Sequence, residues 1–125
     1  MRFIKETIGI ILIIVFVISI EIITEKITNN SLRVISQEIT NIEENGEEKI
    51  EENVNKLSEA WKNEESKLSC YMEHDELEEI SKLINSLKFS SKKNDTEKIE
   101  ENINEIKFKM EHIKNKQKVK IKNIF

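Results

Sequence analysis

Thr7 to Ile20 (TIGIILIIVFVISI) is a run of fourteen uncharged, mostly β-branched or leucine-like residues at the head of a chain that is otherwise charged and contains no proline. The contrast divides the molecule by solvent: one end suits a bilayer, and about a hundred residues suit water. Taken alone the run spans roughly 21 Å as a helix, against a hydrocarbon thickness of about 30 Å. That length fits a cleavable signal peptide, but the following SIEIITEKIT holds no Ala or Gly to serve a peptidase at −1 and −3. The apolar pattern resumes at Ile22, Ile23 and Ile27. Counted from Phe3 to Ile23, with Lys5, Glu6 and Glu21 near the ends where they can snorkel, the helix reaches about 31 Å. Residues 1–23 are therefore expected to form an uncleaved transmembrane anchor that meets lipid through residues 3–23. Glu21 stands one residue past the apolar core, so interfacial snorkelling accounts for it better than an ion path.

Arg2 and Lys5 precede the span, and Lys26 and Arg33 follow it, so the lysine and arginine count is balanced. A short N-terminal tail is easily retained and the following domain is acidic. The expected topology is single-pass in the plasma membrane, with the N-terminus inside and the bulk of the chain outside.

Charged residues make up 35% of the chain and glycine occurs only at Gly9 and Gly46, too few turn formers for hairpins and sandwiches. The net charge of −4 conceals an asymmetry. Twenty acidic and nine basic side chains lie between Gln37 and Ile106, whereas seven lysines face Glu111 alone from Lys107 to Phe125. A net-negative domain is a poor nucleic-acid ligand, because that affinity comes from clustered cations that release counterions. The basic end is expected to neutralise acidic helices of its own chain or of a partner; contact with an anionic surface, lipid headgroups or wall polymers, is the alternative.

Beyond the anchor, apolar residues recur at helical spacing. Ile27, Val34, Ile35, Ile39 and Ile42 extend the membrane helix outwards, and Asn45-Gly46 ends it. A second seam runs Ile50, Val54, Leu57, Trp61, Leu68; the register then slips between Met72 and Leu77. Asp75 with Glu78 forms an N-cap pair for a third helix carrying Leu77, Ile80, Ile84 and Leu87. Ser90 to Asp95 reads as a polar loop, and Asp95 as the cap of a fourth helix with Ile99, Ile103, Ile106, Met110 and Ile113. The closing KVKIKNIF alternates basic and apolar residues, which suggests an extended, strand-like tail. The fold class is all-α: an N-terminal transmembrane helix, then a small antiparallel bundle of stacked helical hairpins over residues 24–116, then a basic tail over 117–125. The stripes are narrow, about two residues in seven, as in coiled-coil seams. Leu57, Trp61, Leu77, Ile80, Ile84, Ile103, Ile106 and Met110 are the residues expected to form the core or to meet a partner.

Nothing in the chain points to catalysis. It has no glycine-rich phosphate loop, no nucleophile elbow and no paired thiols, and no cofactor or small-molecule substrate is implied. His74 and His112 each follow a glutamate and are weak metal candidates. Neither has a second ligand at i+4, where Glu78 and Lys116 stand. Trp61 is better placed as a core anchor than as a stacking platform. Cys70 has no disulfide partner and is expected to be a semi-buried small apolar residue; Lys67 at its −3 position excludes a lipoprotein signal.

The N-terminal anchor, the acidic helix with Trp61, the segment His74-Asp75-Glu76-Leu77-Glu78-Glu79-Ile80, the helix ending in Glu111-His112-Ile113 and the terminal Asn123-Ile124-Phe125 together resemble the bacterial family known as domain of unknown function 4363. The resemblance covers nearly the whole chain, with a shorter apolar run after the tryptophan than the family pattern. It implies a bacterial single-pass protein and supplies no activity or catalytic residue. The expected function is non-enzymatic: a single-pass membrane protein whose extracytoplasmic helices bind another protein or themselves at the cell envelope. The alternatives are a coiled-coil dimeric envelope scaffold, which requires one helix continuous through Asn45-Gly46, and a metal-linked sensor using His74 and His112.

Overall fold

A computed structural model of the chain describes residues 2–124, and the surroundings of every side chain among them except 120, 121, 123 and 124. Among the described residues there are four α-helices and no strand: α1 Arg2–Glu44, α2 Ile50–Leu68, α3 His74–Lys92 and α4 Thr96–Ile124, with one 3₁₀ turn at Glu47–Lys49. Each follows from its composition, since Lys, Glu, Leu and Ile propagate helices and no proline interrupts them. The all-α architecture read from the sequence is the one observed.

α1 is 43 residues long, about 64 Å at 1.5 Å per residue, and its two halves differ in exposure. Its large apolar side chains from Phe3 to Ile23, apart from Ile18, are 43–83% exposed. Its second half enters the bundle and buries Leu32, Ile35, Ile39 and Ile42 at helical steps. The helix stops where Gly46 takes φ 68° and ψ −173°. No atom lies within 4 Å of where a Cβ would sit, so the demand for glycine there is one of backbone conformation and not of space.

α1 packs against α2 and α4, and α3 packs against the same two helices, so α1 and α3 occupy opposite corners of a four-helix bundle. All four contacts are antiparallel. Ser31 meets Glu64 and Thr28 meets Tyr71 across α1 and α2, Glu76 meets Lys116 while Ser86 meets Asn102 across α3 and α4, and Glu43 meets Lys107 while Thr24 meets Gln117 across α1 and α4. The interior holds Val54, Leu57, Trp61 and Leu68 of α2, Leu77, Ile80, Ile84 and Leu87 of α3, and Ile99, Ile103, Ile106, Met110 and Ile113 of α4. These are the seam residues that the periodicity picks out. Leu32 joins them although it falls outside the expected seam.

Several expectations are corrected. The closing segment is not strand-like: α4 continues helically to Ile124, because extending an existing helix adds a hydrogen bond for each residue fixed. Phe125 lies outside the described residues. α3 begins at His74 with Glu73 at its N-cap and no side-chain cap. Asp75 therefore sits inside the first turn, where a carboxylate still favours the positive helix end. The polar loop is shorter than expected, since Ser90 and Ser91 are buried in the last turns of α3 and bond back to the carbonyls of Ser86 and Lys88. The turn is made instead by Asn94 at φ 54°. Cys70 is exposed, not semi-buried. Asp95 caps α4 as expected, its Oδ1 accepting from the Lys98 amide at 3.2 Å.

Leu57 is fully buried, so Leu57→Ala should destabilise the bundle by about 2–5 kcal/mol. Urea unfolding in detergent would read this as a lower midpoint at unchanged slope.

Candidate interaction site

Where α1 enters the bundle, a collar of polar side chains ties it to the rest. Thr28 Oγ1 lies 2.6 Å from Tyr71 OH, and both hydroxyls reach the Thr24 carbonyl, at 2.8 and 3.2 Å. Gln117 Nε2 donates to Thr24 Oγ1 from α4 at 3.4 Å. One turn further in, Ser31 Oγ donates to Glu64 Oε2 at 2.6 Å, and Lys67 Nζ reaches Glu64 Oε1 at 3.4 Å. Glu64 is only 5% exposed; a carboxylate this buried needs such donors to offset lost hydration. Burial pushes the Tyr71 phenol up from its ordinary pKa, with the Thr28 bond working the other way. The small hydroxyl residues Thr24, Thr28 and Ser31 thus bind α1 at once to the end of α2, to the turn after it and to α4.

Elsewhere the faces are joined by single polar links. Trp61, 3% exposed, donates its indole N–H to Ser81 Oγ at 2.8 Å. Asn102 donates to Ser86 and Ser90, each at 3.2 Å. Lysines of α4 reach acids on both neighbouring helices: Lys107 to Glu43 at 2.7 Å, Lys109 to Glu79, and Lys116 to Glu76 at 2.9 Å. These pairs are the intramolecular neutralisation that the charge asymmetry suggests. Lys109 beside Glu79 holds that carboxyl below its usual range, first by hydrogen bonding and then by charge. Glu76 raises the Lys116 ammonium by the same two effects.

Between α1 and α4 runs a groove of about 780 Å³. It is pinned at one end by Glu43 with Lys107 and at the other by Thr24 with Gln117, a reach of about 28 Å along α1. Leu32, Ile39 and Met110 form its apolar floor, and Arg33, Glu111 and Lys114 are among its rim residues. The most exposed aromatics of the bundle, Phe89 and Phe108, lie outside it; Lys93 sits 4.5 Å from the centre of the Phe89 ring.

All eight residues expected to form the core or meet a partner are buried: Leu57, Trp61, Leu77, Ile80, Ile84, Ile103, Ile106 and Met110. Packing takes them, and only Met110 also lines the groove. His74 and His112 are both exposed, on different helices, and His112 shares a small concavity with Glu76, Glu79 and Lys109. Among the described residues no group of three or more His, Cys, Asp or Glu side chains is placed to hold a metal ion. The collar residues Thr28, Ser31, Glu64 and Gln117 escape sequence reasoning. Their spacing was the available signal, since Thr24, Thr28, Ser31 and Ile35 continue the buried stripe of α1 at steps of four, three and four.

A helix long and apolar enough to cross a bilayer, with none of its most apolar window buried, joined without a break to an antiparallel bundle, defines the class of protein. The chain belongs to the family described as Domain of unknown function (DUF4363), which matches residues 15–124 and so takes in the end of the apolar stretch and the whole bundle. Neither a curated protein nor a solved structure matches it at a significant level.

Ser31→Ala should cost about 1.5–3 kcal/mol by leaving the Glu64 carboxylate short of a donor. Adding Glu64→Leu should recover part of that loss in chemical unfolding. The Glu79 carboxyl should titrate below the ordinary glutamate value and move back up in Lys109→Gln, as followed by carboxyl NMR. Because its folded pKa is depressed, the stability from this pair is present above the unfolded pKa and fades as pH falls through the folded one.

Proposed function

We propose that this is a non-enzymatic, single-pass membrane protein whose bundle mediates protein–protein interaction at the cell envelope, with the N-terminus inside and the bundle outside. The observation that carries this reading is the α1–α4 groove, whose one wall is the continuation of the helix able to cross the membrane. A chain confined to the membrane plane meets other membrane proteins at raised effective concentration. The groove length suits a partner helix of about five turns, and its apolar floor between charged rims supplies contact and selectivity together.

A dimeric coiled-coil scaffold is the second reading. The end of α1 at Glu44 and the burial of Ile39 within its own bundle favour the hairpin arrangement over it. A metal-linked sensor ranks last, because His74 and His112 lie apart and exposed.

Photo-crosslinking side chains placed at Arg33, Ser36 or Thr40, on the groove, should give discrete adducts in native membranes. The same probe at Glu59, on the outer face of α2, should give none. Equal labelling from both faces, or adducts between Ile39 positions of two copies, would overturn the groove reading.

A further inference from the structure

The groove leaves the far end of α4 unexplained. α4 has 29 residues against 19 each for α2 and α3. Its last link to α3 is Lys116, which pairs with Glu76 and, at 3.9 Å, with Glu73 at the N-cap of α3. Its last link to α1 is Gln117 on Thr24. Beyond that point α4 continues for seven residues to Ile124, about 10 Å of helix. Since α4 runs antiparallel to α1, this extension descends beside residues just before Thr24, where the apolar stretch of α1 begins.

Its charge is equally specific. Lys107, Lys109 and Lys116 are paired across helices. Lys114, Lys118 and Lys122 recur at steps of four on one face, all exposed, and carry no salt bridge among the described residues. Val119 beside them is 56% exposed. Glu21 and Glu25 on α1 are the acids at this level, and Lys26 is exposed next to them. The acidic turn around Glu73 ends above the extension.

We propose that the end of α4 from Lys114 onward lies against the headgroups of the membrane that α1 crosses, with Lys114, Lys118 and Lys122 bound to anionic lipid phosphates. This rests on the span of the preceding section. The depth agrees: Gln117 meets Thr24 at the edge of the 3–23 span, so Lys114 and Lys118 stand at headgroup level, and Lys122, one turn lower, reaches that level by snorkelling. Each lysine near an anionic surface contributes about a fivefold preference for it. The contact gives the bundle a second attachment and fixes its tilt on the membrane.

The test uses the full chain in phosphatidylcholine vesicles with and without phosphatidylglycerol, read by amide hydrogen exchange. Anionic lipid should slow exchange across 118–124 by at least about fivefold, the contribution of one lysine. Raised salt should reverse the effect. The variant Lys114→Gln/Lys118→Gln/Lys122→Gln should lose it, while residues 77–113 keep their protection as evidence of an intact bundle. Equal protection in neutral and anionic vesicles, or protection that survives the triple substitution, overturns the contact while leaving the span intact. A chain that washes off the vesicles in alkaline carbonate overturns the span and the contact with it.

Discussion

The unbroken continuity of α1 sets the terms for everything else. In hydrocarbon a backbone must satisfy its own hydrogen bonds, which a helix does without help. Proline is absent and Gly9 is the only glycine within α1, so nothing stops the helix at the end of its apolar stretch. It runs on unbroken past the stretch apolar enough to cross a bilayer, and the other three helices pack on its second half. The two halves of one rod differ in their surroundings: among the described residues the most apolar window of the first half is not buried, and the second half buries Leu32, Ile35, Ile39 and Ile42.

The join between these halves is polar. Thr24, Thr28 and Ser31 are small enough for close helix approach, and each carries a hydroxyl that finds a partner. Apolar seams further along give the bundle most of its stability, because burial acts on every side chain in the interior. They do not fix which residue of α1 meets which residue of α2. The bonds from Ser31 to Glu64 and from Thr28 to Tyr71 do, since a one-turn slip would leave buried polar groups without partners. Charge then orders the remaining pair: lysines of α4 reach acids on α1 and α3, and the α1–α4 side stays the least closely packed of the four.

Much of this was legible in the residues. The steps of three and four through Val54, Leu57, Trp61, Leu77, Ile80, Ile84, Ile103 and Ile106 identify inward faces because only one stripe of a helix can meet a neighbour. Gly46 and Asp95 mark two boundaries, because one adopts a backbone that side chains resist and the other supplies an oxygen to free amides. The illegible positions share a cause. Ser90 and Ser91 read as loop and are buried helix; Thr28, Ser31 and Gln117 lie on none of the expected apolar seams and are interfaces. A polar side chain has no preference between water and a satisfied buried bond until its partner is in place, and for Ser90, Ser31 and Gln117 a partner lies 12, 33 and 93 positions away along the chain.

By itself the sequence determined that the chain is helical, that one end is apolar enough for a bilayer and that four amphipathic segments follow, since these depend on side-chain chemistry and spacing within a few turns. Tertiary structure alone decided which helices are neighbours, that Trp61 and Leu57 face inward to their own bundle, that a groove opens between α1 and α4, and that the basic end of α4 returns to the level of the apolar stretch. Those outcomes are set by pairings between distant segments, where the lengths of the helices and the registry of a few buried hydroxyls, carboxylates and amides choose among arrangements that the apolar stripes leave equivalent.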